Sequence, residues 1–174
     1  NAKSLEVFKS IQQVVFDKTG TLTTGKFNIS TYQFTIGEDE GKRLAFSLEK
    51  YSNHPIGKCI ATAWKTNNDI RWQSIEEVKG LGMKAIDKDG NEYWAASYKA
   101  VEQLTQDESH NVYIVKNNEL IGWIDVADEL RPEAKDVIAT LKKNGVKTIL
   151  LSGDKKEKCE QVKNALRLDE AIGE

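Results

Sequence analysis

Apolar and polar positions change style along the chain, and each style predicts a different kind of element. Gln13-Val14-Val15-Phe16 is a short apolar run that stops at Asp17, and the small, polar Lys18-Thr19-Gly20-Thr21 follows, so a strand running into a loop is expected. Leu44, Ala45, Leu48 and Tyr51 recur on one helical face, predicting a helix that starts at Gly37 or Asp39. A second helix is expected after His54-Pro55, because proline suits a first turn, and it runs through Ile60, Ala63 and Trp64. Beyond Ser74 the segments shorten. Met83 to Ile86 and Glu92 to Ala95 flank Asp87-Lys88-Asp89-Gly90 as a hairpin, and Val112 to Val115 and Leu120 to Ile124 flank Asn117-Asn118 as another, with a short helix over Tyr98 to Leu104 between them.

After Asp125 the pattern changes again. Arg131-Pro132 opens a helix through Ala134, Val137, Ile138 and Leu141, Gly145 ends it, and Val146 to Leu151 is a strand that stops at Ser152-Gly153-Asp154. A polar, lysine-rich helix from about Lys155 to Leu166 follows. The first and last parts share α/β character and the middle does not. The strand ending at Asp17 needs parallel neighbours that only the last part supplies, so the middle reads as a domain inserted into a loop. The expected fold is α/β with an incomplete parallel sheet, carrying an inserted α+β domain on an antiparallel sheet. The expected division is 1–25 and 125–174 around 26–124.

Composition narrows the function classes. A hydrophobic fraction of 39% and a charged fraction of 30% fit a globular protein, and no apolar run approaches the roughly 18 residues that cross a bilayer. A net charge of -2 with mixed signs gives no basic footprint for nucleic acid. Cys59 and Cys159 form no CxxC pair, so they are read as buried or neutral thiols in a reducing compartment rather than as a zinc site or disulfide. The Asn1-Ala2 start, with no initiator Met or signal core, reads as a cut segment.

A carboxylate at the end of a buried parallel strand stands where open α/β sheets place ligands, though an Asp there is also a common turn former. Lys18 can neutralise phosphate charge, Gly20 lets backbone N–H groups approach closely, and Thr21 offers a hydroxyl. The string Asp17-Lys18-Thr19-Gly20-Thr21, extended by Phe16 and Leu22-Thr23, resembles the D-K-T-G-T signature of the P-type ATPases, within the haloacid dehalogenase-like superfamily. The resemblance implies that Asp17 attacks the γ-phosphate of ATP, a case of covalent carboxylate catalysis. Superfamily phosphatases usually carry a second Asp two positions after the nucleophile. Thr19 stands there and cannot serve as general acid or base near neutral pH. Ser152-Gly153-Asp154 resembles the family's T-G-D phosphate element, although Ser, Gly and Asp also suit a helix N-cap. Asp128-Glu129-Leu130-Arg131-Pro132 resembles the family's return from the inserted domain.

Ser52-Asn53-His54-Pro55 resembles the S-E-H-P loop of the heavy-metal (type IB) branch, with Asn53 in place of Glu. There His54 would stack on or hydrogen-bond to adenine, where without the resemblance a cap or surface role is expected. Glu49 stands where the family carries an acidic residue that accepts from the adenine amino group; alone it would be a solvated helix position. Gly80-Leu81-Gly82 resembles the branch's G-x-G turn beside base and ribose, and Ala96-Ser97 departs from a frequent Gly-Asn, leaving Ser97 a possible hydrogen-bonding residue. Mg²⁺ would rest on the Asp17 carboxylate, the Thr19 carbonyl and phosphate oxygens. The family's downstream lysine and G-D-G-x-N-D loop do not occur, so binding of ATP with little turnover is expected. The implied partners are ATP, a membrane domain of the same polypeptide on whose cytoplasmic face this region lies, and actuator or metal-binding domains. The implied cargo is copper, with zinc or cadmium behind it. The rival readings are a soluble phosphatase of the same superfamily and a nucleotide-sensing module without phosphoryl transfer.

Overall fold

The computed structural model describes residues 11–173; the Asn1-Ala2 start and Glu174 lie outside them. In chain order the elements are β1 (Gln13–Asp17), β2 (Thr23–Phe34), α1 (Glu38–Glu49), α2 (Pro55–Ala63), β3 (Ser74–Val78), β4 (Gly82–Ile86), β5 (Glu92–Ala96), β6 (Val112–Lys116), β7 (Glu119–Leu130), α3 (Ala134–Lys143), β8 (Lys147–Leu151), α4 (Lys156–Leu166) and β9 (Glu170–Ile172). The described residues divide into two compact units, one of 11–26 together with 128–173, the other Phe27–Ala127.

In the first unit β1, β8 and β9 form a parallel sheet in that order, with Asp17 opposite Leu151 and Leu151 opposite Ile172. Alternation along the strands sends Phe16, Leu150 and Ala171 to one face, where Ala134 and Ile138 of α3 and Cys159 and Leu166 of α4 cover them. Val15 and Leu151 stand exposed on the other face. This is the expected α/β sheet, and α4 is a β8-to-β9 crossover of the kind parallel neighbours require.

The second unit is built on an antiparallel sheet of order β2-β7-β6-β5-β4-β3. Leu44, Ala45 and Leu48 of α1 and Ile60 of α2 pack on Met83, Ala85, Ala95, Ile114 and Ile124 of the sheet. The opposite face carries its own cluster, in which Tyr113 and Val115 meet Val101, Tyr98 and Trp123. β6 is thus buried on both faces, which explains why its sequence, Val112-Tyr113-Ile114-Val115, is continuously apolar rather than alternating.

Several expectations need correction. α1 ends at Glu49, so Tyr51 points to solvent instead of continuing the apolar face. Val137 is exposed on α3, whose inward residues are Ala134 and Ile138. The helix expected over Tyr98 to Leu104 is one short 3-10 turn, Tyr98–Ala100, followed by further turns. β7 continues six residues past Ile124 because its alternation persists through polar positions, with Val126 buried and Asp128 turned inward. β2 was not anticipated: Phe27 and Ile29 pack inward at odd positions and Tyr32 and Phe34 at even ones, so the period-two signal breaks at Ser30-Thr31. β9 has only three residues, too few for a periodic signal.

Candidate functional site

Two groups of sequence-predicted residues assemble, one in each unit. In the first unit, Asp17 closes β1 and Leu151, its partner in register, closes β8, so the loops that follow both strands leave the same sheet edge. The loop Lys18–Leu22 turns sharply at Thr19 (φ -72°, ψ 120°) and Gly20 (φ 79°, ψ -10°). These are the angles of a type II turn, whose third residue needs positive φ; that is why glycine stands at position 20.

Thr23 holds the turn together. Its hydroxyl accepts from the Gly20 N–H at 3.0 Å and donates to Asp128 Oδ2 at 2.6 Å, and the Lys18 carbonyl, 3.2 Å from it, accepts the Thr23 backbone N–H. From the other side the Arg131 guanidinium donates to the Gly20 carbonyl at 3.0 Å. Lys18 is buried and its ammonium pairs with Asp154 Oδ2, linking the β1 loop to the β8 loop. Ser152 accepts from the Asp154 N–H at 3.1 Å, which shapes Ser152-Gly153-Asp154 as a turn of its own; the capping position of α4 belongs to Lys155. Asp17, Thr19 and Thr21 are exposed, and the Asp17 carboxylate has no hydrogen bond or ion pair among the described residues. An unpaired carboxylate at the rim of a turn of fixed shape is free to meet an incoming electrophile. It and the Thr19 carbonyl are hard oxygens of the kind that would hold Mg²⁺ together with phosphate and water oxygens. Among the described residues no cluster of three or more His, Cys, Asp or Glu adds further ligands.

In the second unit Glu49, His54, Gly80, Gly82 and Ser97 line one cavity of about 520 Å³. They arrive from the end of α1, the start of α2, the turn between β3 and β4, and the residue after β5. Gly82 is held at φ 126°, and a Cβ there would lie 2.1 Å from the Ala95 carbonyl oxygen, so β4 meets β5 closely only because no side chain intervenes. Ser97 fixes the turn from the far side: its N–H donates to the Leu81 carbonyl at 2.8 Å and its hydroxyl to the Gly80 carbonyl at 3.0 Å.

His54 caps α2, with Nδ1 accepting from the Ile56 N–H at 3.2 Å. The bland expectation of a helix cap is therefore correct for one nitrogen. Because Nδ1 accepts, the neutral ring carries its proton on Nε2, and the exposed ring keeps Nε2 and its π face available. Glu49 is 5% exposed, which overturns the solvated-helix alternative. Burial, and after it the charge of Glu77, pushes its carboxyl up to about 8, so at neutral pH Glu49 is an acid rather than the carboxylate expected from the sequence.

The model of the haloacid dehalogenase-like hydrolases matches residues 11–174. The chain belongs to this family. Within it, the chain is similar to the copper-exporting P-type ATPase B of Archaeoglobus fulgidus, 33% identical over 99% of the chain and 27% of that protein. It is also similar to the zinc-transporting ATPase of Bacillus subtilis, 29% identical over 98% of the chain and 29% of that protein. The chain thus spans under a third of the length of these relatives. Among solved structures, the catalytic domain of the CPx-ATPase CopB-B, described for its conformational changes upon nucleotide binding, matches with a TM-score of 0.80 and 27% identity over 99% of this chain and 65% of that one. A zinc-transporting PIB-type ATPase in its E2.Pi state matches with a TM-score of 0.74 and 26% identity over 97% of this chain and 30% of that one.

The structure adds residues to this haloacid dehalogenase-like site that the sequence did not single out. Thr23, Asp128 and Arg131 lay inside recognised strings but carried no assigned role, since their partners are distant in sequence. Asp128 Oδ1 is buried without a partner among the described residues, an orphan that a rigid turn tolerates at a cost of about 1–3 kcal/mol. Ser52 and Glu77 also line the cavity, and Glu77, at an exposed position of β3, gave no sequence signal at all.

Proposed function

We propose that this chain is the ATP-binding and phosphorylation region of a heavy-metal-transporting P-type ATPase, with copper as the cargo. The observation that carries the reading is the convergence of Glu49, His54, Gly80, Gly82 and Ser97, from four separate stretches of sequence, on one cavity of a size that suits a nucleoside. The nucleotide binding described for the CopB-B catalytic domain supports a nucleotide, and so ATP, as its ligand. Copper rests on the Archaeoglobus relative; the Bacillus relative keeps zinc as the alternative cargo.

In this reading adenine lies in the cavity between the His54 ring and the Gly80-to-Gly82 turn. The Asp17 carboxylate attacks the γ-phosphorus, an O–P bond forms to Asp17, and the bond to the β-phosphate oxygen breaks with its electron pair leaving on ADP. Lys18 balances the phosphate charge, Thr21 and Ser152 offer hydroxyls, and Gly153 lets the phosphate approach the backbone. Asp154 keeps Lys18 in place. Asp17 and the Thr19 carbonyl would hold Mg²⁺, which would supply further charge neutralisation. Thr19, lacking an acid or base function, leaves the aspartyl phosphate long-lived, which favours a pump over a phosphatase. The phosphorylated state would then drive transport through a membrane domain of the same polypeptide, with this region on its cytoplasmic side beside actuator or metal-binding domains. No helix among the described residues is long and apolar enough to cross a membrane, so any such domain lies outside them.

Calorimetric titration of the chain with ATP, AMP and GTP, beside a His54→Ala variant, tests the reading. Adenine-selective binding weakened about tenfold by the substitution is expected, the scale of one lost base–ring stack. Folded protein that binds no nucleotide would overturn it.

A further inference from the structure

The cavity holds two carboxyl groups in opposite situations. Glu77, on β3, is pinned by three donors: the Asn53 side-chain amide to Oε2 at 3.0 Å, the Asn53 N–H to Oε1 at 3.2 Å and the Ser52 hydroxyl to Oε1 at 3.3 Å. Glu49, on α1, is buried, and no donor among the described residues reaches its carboxyl. The two are bridged through packing. A methyl group at Gly57 would lie 2.0 Å from Glu49 Oε2 and 2.5 Å from Ser52 Oγ, so the oxygen that donates to Glu77 and the oxygen of Glu49 crowd the same point of α2. Three fixed donors favour the charged form of Glu77, while burial beside that charge favours the neutral form of Glu49. Directions agree on both sides: Glu77 is held below the ordinary carboxylate range, first by Asn53, and Glu49 is raised, first by burial and then by Glu77. The other charged or titratable groups lining the cavity are His54, at the start of α2, and Lys79, in the turn before β4.

We propose that Glu77 is a positioning residue for base selection: pinned by Asn53 and Ser52 beside the buried Glu49, it adds to burial in fixing Glu49 as a paired donor and acceptor, whose O–H and carbonyl oxygen meet N1 and the N6 amino group of adenine. The inference rests on the adenine pocket assigned above and deepens it. A neutral carboxyl presents one donor and one acceptor side by side, the complement of adenine's acceptor N1 and donor N6. Guanine presents two donors, N1–H and the 2-amino group, and their complement is an ionised carboxylate. The protonation state of Glu49 therefore sets which purine fits, and removing its proton turns the preference from adenine toward guanine. Asn53 takes part by pinning Glu77; an acidic residue at position 53 would repel it.

The test is the affinity for ATP and for GTP of the wild-type chain, Glu77→Gln and Glu49→Gln between pH 7 and 9. For the wild type, ATP affinity falls about tenfold across this range, as linkage to a single proton with a midpoint near 8 requires, and the ATP-to-GTP ratio falls with it. Glu77→Gln keeps an oxygen to accept from the Asn53 N–H and the Ser52 hydroxyl, and the Asn53 side-chain amide can turn its oxygen to the new NH2, while the charge is gone, so its midpoint moves to lower pH and selectivity is lost earlier. Glu49→Gln has no proton to lose and gives a flat profile, which separates Glu49 from His54 and Lys79 as the source. ATP binding that is flat with pH in the wild type, or superimposable profiles for wild type and Glu77→Gln, overturns the role of Glu77 while leaving the ATP pocket standing. Absence of ATP binding at every pH overturns the pocket and this inference together.

Discussion

The two units hold their functional residues by contrary means. Around the cavity of the 27–127 unit the key groups are positioned by packing: Glu49 is buried, Gly82 touches the neighbouring strand, and a helix cap sets the tautomer of His54. At the sheet edge of the other unit the key carboxylate, Asp17, is exposed, and what is rigid is the turn beside it, wired through Thr23, Asp128 and Arg131. Under the proposed function, shape recognises a base and tolerates little change in backbone, whereas an attacking carboxylate needs freedom at its own oxygens and order only in its surroundings.

Substitutions that touch one device and spare the other sharpen this contrast. The largest effect is expected for Asp17→Asn: in the intact protein it removes all hydroxylamine-labile phosphate incorporated from ATP, while nucleotide affinity stays within about threefold. Gly82→Ala does the reverse. Its methyl would meet the Ala95 carbonyl at 2.1 Å, a backbone atom that cannot swing aside, so ATP affinity in calorimetry falls by about a hundredfold or the 27–127 unit melts early.

Glu49→Gln tests burial through stability. A folded carboxyl near 8 against an ordinary 4.5 means that the folded chain keeps a proton the unfolded chain has lost between those pH values. The Glu49 contribution to stability is therefore full below about pH 4.5, falls as pH rises, and is gone above about 8. Glu49→Gln should raise unfolding stability at pH 8 by roughly 2–4 kcal/mol and at pH 4.5 by little, measured by urea titration at both. Thr23→Val removes the hydroxyl that satisfies Asp128 and the Gly20 N–H, and costs about 1–3 kcal/mol in the same assay, largely restored by Thr23→Ser.

Much of this was legible in the sequence because it is local. The turn at Gly20, the helix start at Pro55 and the hairpin at Asp87 to Gly90 each follow from neighbouring residues, and the resemblance added the grouping of Glu49 with His54 and the Gly80-to-Gly82 turn. What stayed hidden depends on distance in sequence. Thr23 and Asp128 are 105 positions apart, and Ser52 meets Glu77 across 25. β2 was lost because its inward positions switch parity at Ser30-Thr31, and the neutral state of Glu49 was invisible because charge follows burial rather than residue type.

The central claim, that the 27–127 cavity is the ATP site, is tested most directly by mapping backbone amide shifts of the chain as ATP is added. The expected result is a contiguous set of changes at Ile56, Gly57, Leu81, Gly82, Ala96 and Ser97, saturating together. Changes confined to Lys18–Thr21 and Gly153, with the cavity amides unmoved, would contradict it.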